Sequence, residues 1–431
     1  MDTLTIKPVK TLSGCVAIPG DKSISHRAAI LSSLAQGTTK IYNFLTAADC
    51  LSTVECLKKM GVSIEGPVNN TLVVYGQGPA GINEPPDVLN AGNSGTSMRL
   101  LTGVLASFPF YSVITGDRSL RERPMERVLY PLQKMGAEIA GRKGSTRAPL
   151  AITGKKLSGI QYVSTVASAQ VKTAVLLAGL QAYGETAVTE PALSRDHTEK
   201  MLEHFGIPVT KSGLTVSVRG PCTLKAGGDF TVPGDISSAA FFIVAACIIP
   251  ESDITICGVG VNPTRAGIID VLTAMGANIS IKNERIECGE PVADIRVLYA
   301  PLQGISIGGD IIPRLIDEIP ILSVAAAAAQ GETVITGAEE LKYKETDRLK
   351  AVAEELRKMG AQIKELPDGM VIKGNTKFNG ACCHSRGDHR MAMALSIAGL
   401  SASGETTVND ADCVDISFPQ FGDVLNSLVV E

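Results

Sequence analysis

The feature that most constrains this chain is an internal repeat. A Gly-x-Thr step follows an Ala-rich segment at Gly37, Gly184, Gly331 and Gly404. The first three are about 147 residues apart and the last lies at half that spacing, so the underlying period is about 73 residues with alternate copies diverged. Strands at 107–114 and 251–256 fill the missing places. A second landmark is an amphipathic helix closed by Met-Gly or Phe-Gly, over 54–61, 128–136, 199–206, 268–276 and 351–360. Each glycine stands where a helix C-terminal cap belongs. The repeat reads as an apolar helix, a strand, an amphipathic helix and more strands, which makes an α/β chain of six copies.

Six Ala- and Leu-rich segments, opening near Ser23, Ser94, Ser168, Ser237, Asp317 and Asp388, are apolar on almost every face and are expected inside their domains. A buried helix with a polar start presents free N–H groups and a positive dipole end, which suit an anion. At 431 residues two domains are expected. Ile18-Pro19-Gly20-Asp21-Lys22-Ser23 and Val232-Pro233-Gly234-Asp235-Ile236-Ser237 begin alike and read as the two crossings between them. This gives an inserted domain, 21–234, and a discontinuous one, 1–20 plus 235–431. A single split near residue 220 is the simpler rival.

With 45% apolar and 19% charged residues, the composition is that of a compact globular protein. Its net charge of −4 excludes broad affinity for nucleic acid or an anionic membrane, so anion binding must come from local basic clusters. The longest apolar run, 239–249, is too short to cross a bilayer, and the first ten residues lack a secretory signal. Ten cysteines without a C-x-x-C pair and only five histidines argue for reduced thiols and against structural zinc.

Five motifs bear on chemistry. Gly20-Asp21-Lys22-Ser23-Ile24-Ser25-His26-Arg27 opens the first apolar helix with two cations near its start. Asn90-Ala91-Gly92-Asn93-Ser94-Gly95-Thr96 is a Gly-rich loop, but it matches neither a P-loop nor a dinucleotide fingerprint. Arg121-Glu122-Arg123-Pro124-Met125 offers guanidinium forks for carboxylate or phosphate, or equally a surface salt bridge. Lys344-Glu345-Thr346-Asp347-Arg348 leads into an amphipathic helix, with Thr346 or Asp347 as its cap. Arg348 falls in the first turn, where a cation implies an anion or a carboxylate nearby. Asp317 and Asp388-His389-Arg390 open the fifth and sixth apolar helices, where an Asp can be simply a cap.

Together and in order, these motifs resemble those of the 5-enolpyruvylshikimate-3-phosphate synthase family of enolpyruvyl transferases, from residue 6 to about 425. The Lys-Glu-Thr-Asp-Arg segment separates the chain from the sister family acting on UDP-N-acetylglucosamine, which is the alternative. The resemblance implies a two-domain inside-out α/β barrel, each domain three βαβαββ repeats with buried helices and outer sheets. It implies domains that close over phosphoenolpyruvate and shikimate 3-phosphate, and addition–elimination through a tetrahedral intermediate without metal or cofactor. Asp317, Glu345 and Lys22 become the catalytic groups. Lys22, Ser23, Arg27, Ser168, Gln170, Asp317 and Lys344 would hold shikimate 3-phosphate. Lys22, Gly95, Arg123, Gln170, Arg348 and Arg390 would hold phosphoenolpyruvate, with Asn93, Thr96, Ser194 and His389 as further candidates. A cytoplasmic monomer is expected. Two positions depart from the family pattern: Ile416 stands where many members have Lys, and Leu100 where many have Pro.

Overall fold

A computed structural model describes residues 2–430 as a mixed α/β chain. It divides into two compact units. One comprises Gly20–Val232 with Glu287–Glu290. The other takes the chain up to Pro19, then Pro233–Ile286, and everything from Pro291 onward.

Of six sheets, three per unit among the described residues, five follow one plan, and the sixth keeps only its central strand and the neighbour on each side. A central strand runs parallel to a lead-in strand on one side and antiparallel to a later strand on the other. The outermost place goes to that later strand's hairpin partner. In the second sheet, Leu89–Asn90 leads in beside Tyr111–Thr115, which pairs with Arg147–Thr153 and then Glu138–Gly141. The fifth repeats this with Ser306–Ile307, Glu332–Ile335, Gly369–Lys373 and Gln362–Leu366. The first sheet takes its lead-in strands from far downstream, since Leu224–Lys225 and Phe230–Thr231 lie beside Ala35–Tyr42. The fourth takes Thr11–Ala17 beside Asp253–Gly260. The sixth joins Cys382–His384 and Thr406–Asn409 to Thr3–Ile6 at the N-terminal end of the chain.

The six apolar helices run over Lys22–Leu34, Gly95–Leu105, Ala169–Gly179, Ile236–Ile248, Ile319–Ala328 and His389–Leu400. Nearly every residue of each is buried, and the first three centre one core as the last three centre the other. Two of their starts, expected near Ser23 and Ser237, are capped by an Asp just upstream. The cap of the first is Asp21, whose carboxylate accepts from Ile24 N at 2.8 Å, and Ser23 lies in the first turn. Asp235, not Ser237, caps the fourth. An Asp carboxylate two or three residues upstream reaches the free N–H groups, which frees the serine hydroxyl for other partners. The cap position of the fifth helix belongs to Glu318, not Asp317. Asp317 sits in a 3₁₀ turn, Ile316–Glu318, ahead of the fifth helix.

The five expected amphipathic helices are present and begin earlier than the apolar pattern indicated, as at Ala48–Lys59 and Arg348–Lys358. The glycine after each has φ between 79° and 103°, a backbone region costly for a side chain. A sixth helix, Phe421–Leu428, escaped the pattern because it ends in Val429, not glycine.

Gly103 marks where the second and third apolar helices meet. A Cβ there would lie 2.2 Å from the Ala174 carbonyl oxygen, a backbone atom that cannot move aside. Gly103→Ala should therefore destabilise the protein by at least about 2 kcal/mol, read as a lowered urea midpoint. An unchanged midpoint would refute this account of the helix contact.

Candidate active site

In the unit built on Gly20–Val232, the first helix turns its basic residues toward two clusters. Lys22 Nζ pairs with Asp49 Oδ2 at 3.2 Å, and both side chains keep some solvent access. Arg27 is 3% exposed. It donates to Thr198 Oγ1 and Thr173 Oγ1, each at 2.8 Å, and to the Ser23 carbonyl at 2.9 Å. Burial, with the Arg195 charge close by, lowers its guanidinium to about 10, leaving it charged at neutral pH. Arg195 donates to Ser23 Oγ at 3.3 Å, so two guanidinium groups flank Ser23. His26 is buried, and burial with the nearby Lys22 and Arg27 charges pushes it well below its ordinary value. It is a neutral ring, bonded through Nδ1 to Thr53 Oγ1 at 2.7 Å.

The Gly-rich loop ends in Ser94, the cap of the second helix. Arg123 donates to Asn93 Oδ1 at 2.6 Å, and Asn93 donates to Asp117 Oδ2 at 2.6 Å. Gln170, in the first turn of the third helix, accepts from Arg99 at 2.7 Å and donates to Thr96 Oγ1 at 3.0 Å. Gly95 faces the same guanidinium groups, since a Cβ there would sit 2.8 Å from Arg99 Nη1 and 3.5 Å from Arg123 Nη1. Asn93, Gly95, Thr96, Arg123 and Gln170 thus gather at the starts of two helices. Ser168 caps the third helix, and its backbone N–H donates to Glu190 at 2.9 Å. Ser194 donates to the same carboxylate at 2.8 Å.

The other unit assembles a charge cluster around Arg348, which is 1% exposed. Its guanidinium meets Glu345 Oε2 at 2.7 Å, Asp388 Oδ2 at 2.7 Å and Asp317 Oδ1 at 3.3 Å. Burial alone would lower its pKa, but Asp388, Glu345 and Asp317 overcome that and raise it. Lys344 Nζ lies 3.3 Å from the same Asp317 oxygen. Arg390 donates to the Asp317 carbonyl at 3.2 Å and lies 3.7 Å from Glu318 Oε1. His389 is buried one residue before it. The anion implied by a cation in the first turn of Arg348–Lys358 is, in this arrangement, a set of protein carboxylates. Asp347 caps that helix, accepting from Lys350 N at 3.2 Å.

A model of the EPSP synthase (3-phosphoshikimate 1-carboxyvinyltransferase) family matches residues 6–425. The chain belongs to that family. A protein of Desulforamulus reducens named 3-phosphoshikimate 1-carboxyvinyltransferase is 58% identical over 428 residues, covering 99% of this chain and all of that one. One of the same name from Brevibacillus brevis is 54% identical, covering 98% of this chain and 99% of its own. Among solved structures, an EPSP synthase of Acinetobacter baumannii superposes with a TM-score of 0.90 at 46% identity, covering 100% of this chain and 98% of that one. The match of an EPSP synthase along the whole chain favours this family over its nucleotide-sugar sister.

Sequence reasoning missed Arg99, Arg195 and Glu190, single polar residues in a helix, a loop and a strand end. Lys172 was findable, as a lone charge inside the apolar run 169–179.

Proposed function

We propose that the chain transfers the enolpyruvyl group of phosphoenolpyruvate to the 5-hydroxyl of shikimate 3-phosphate and releases inorganic phosphate. One observation carries the reading at the level of chemistry. Asp317 and Glu345, two carboxylates suited to proton transfer, are fixed on one buried guanidinium, with Lys344 beside Asp317. Asp317 takes the proton of the attacking hydroxyl, whose oxygen bonds to C2 of the enolpyruvyl group as the C2=C3 π bond breaks and the methylene carbon takes a proton from Glu345, which enters the step as the carboxylic acid. The tetrahedral intermediate then loses phosphate as Glu345 removes a proton from the new methyl group. Lys22 protonates the leaving phosphate as the C2–O bond to phosphate breaks, and the proton taken up by Asp317 returns to Lys22 through solvent to restore both groups.

In this reading Lys22, Ser23, Arg27, Ser168, Gln170, Asp317 and Lys344 hold shikimate 3-phosphate. Lys22, Gly95, Arg123, Gln170, Arg348 and Arg390 hold phosphoenolpyruvate, with Asn93, Thr96, Ser194 and His389 around them. Two substrates that each carry a phosphate and a carboxylate account for this many basic groups and helix starts. The plan shared by five of the six sheets, and the buried helices, support a finer architecture, two inside-out barrels of three βαβαββ repeats each. We place the enzyme in the cytoplasm as a monomer. No helix among the described residues is long and apolar enough to cross a membrane.

Mixing the protein with both substrates should release phosphate, and omitting either should abolish it. UDP-N-acetylglucosamine in place of shikimate 3-phosphate should release none. Release with the nucleotide sugar alone would reverse the assignment.

A further inference from the structure

We propose that Glu190 is a positioning residue for shikimate 3-phosphate, acting through Ser168 and Ser194. The proposal rests on the reading that Ser168 contacts that substrate, and it assigns Ser194, until now only a surrounding candidate, to the same substrate. Glu190 follows the central strand Gly184–Thr189, and its backbone N–H donates to the Leu214 carbonyl at 3.0 Å, so its carboxylate projects from a fixed sheet edge. It is 4% exposed and uses both oxygens. Oε1 accepts from Ser168 N at 2.9 Å, at the cap of the third apolar helix. Oε2 accepts from Ser194 Oγ at 2.8 Å and lies 2.9 Å from Lys172 Nζ. One rigid group thereby sets both where that helix begins and how the Ser194 hydroxyl is turned.

A carboxylate beside a site for a polyanion would ordinarily repel the ligand. Lys172 offsets it. This ammonium is 1% exposed and is shared between Glu190 and Glu199, the latter at 2.7 Å. Burial alone would lower its pKa, but Glu199 and Glu190 overcome that and raise it, so the ammonium stays charged. Arg27, which donates to the paired hydroxyls of Thr173 and Thr198, is also close enough to Glu199 to feel its charge. Two cations thus face two carboxylates, and Glu190 can hold the serines without presenting a net negative charge. A hydrogen bond to a charged group fixes geometry more firmly than one between neutral groups.

Two variants test this in the full-length enzyme. Glu190→Gln keeps the shape and leaves Lys172 its Glu199 partner. Glu190→Asp keeps the charge but withdraws the carboxylate by about one methylene. Each should raise KM for shikimate 3-phosphate by about tenfold or more, with KM for phosphoenolpyruvate within about twofold of the parent. The double variant Glu190→Gln with Ser194→Ala should cost less than the two single effects combined. An unchanged or lower KM in folded Glu190→Asp would overturn the proposal, and so would an effect confined to Glu190→Gln, which would reduce Glu190 to charge balance. Should Glu190→Gln fail to fold, Glu190→Asp carries the test alone. Ser168→Ala and Ser194→Ala separate the two levels. If both leave the KM unchanged, the site reading falls and the proposal with it; if they raise it while the Glu190 variants do not, only Glu190's role falls.

Discussion

Asp317→Ala should lower turnover by at least ~10²-fold, the scale of a lost acid–base group, in a protein that still folds. Folding survives because the change strands no buried charge. Arg348 keeps Glu345 and Asp388, each at 2.7 Å, and Lys344 is exposed enough for water to take over from its lost partner. The Asp317 side chain is itself 14% exposed, so a hydroxyl can approach it. The defect should therefore appear in kcat while the urea midpoint barely moves. Turnover near that of the parent, in a variant with an unchanged midpoint, would remove Asp317 from the mechanism.

Lys172→Met should have the opposite character, with a loss of stability of about 3–5 kcal/mol. Its ammonium separates Glu190 and Glu199, which are 4% and 1% exposed, and a thioether would leave both carboxylates buried without their cation. The pH dependence follows from the raised pKa of Lys172. A folded-state value above the ordinary 10.5 means that the contribution is complete below that pH and is lost as pH rises through the folded value. The difference in urea midpoint between parent and variant should accordingly be large at neutral pH and shrink above pH 10.5. A variant as stable as its parent at pH 7 would show that the buried trio is not held together as described.

The order of elements was legible because burial has a period. Apolar helices, glycine-terminated amphipathic helices and strands recur about every 73 residues, and the family resemblance brought the site residues with it. What stayed hidden depends on contacts between distant segments. Pattern placed two helix starts only near Ser23 and Ser237; that Asp21 and Asp235 reach the free N–H groups is decided by local backbone angles that residue type does not reveal. Arg348 pointed to an anion, which the sequence could equally make a ligand or a carboxylate; three carboxylates from separate segments surround it. Glu190 carries no motif. Its meaning comes from Ser168, 22 residues earlier, and Ser194, four residues later, converging on one carboxylate.

The plan of the sheets has a consequence for synthesis on the ribosome. The unit built on Gly20–Val232 finds its lead-in strands 224–225 and 230–231 within its own stretch, so all three of its sheets can form once residue 232 has emerged. The other unit must hold Thr3–Ile6 unpaired until Thr406–Asn409 arrives, more than four hundred residues later. That strand begins as a bare edge, open to wrong partners until Thr406–Asn409 is made, and its closure is a long-range step of the kind that slows folding. An early-finished lobe and a late-finished one thus follow from which distant strands each unit's sheets must join.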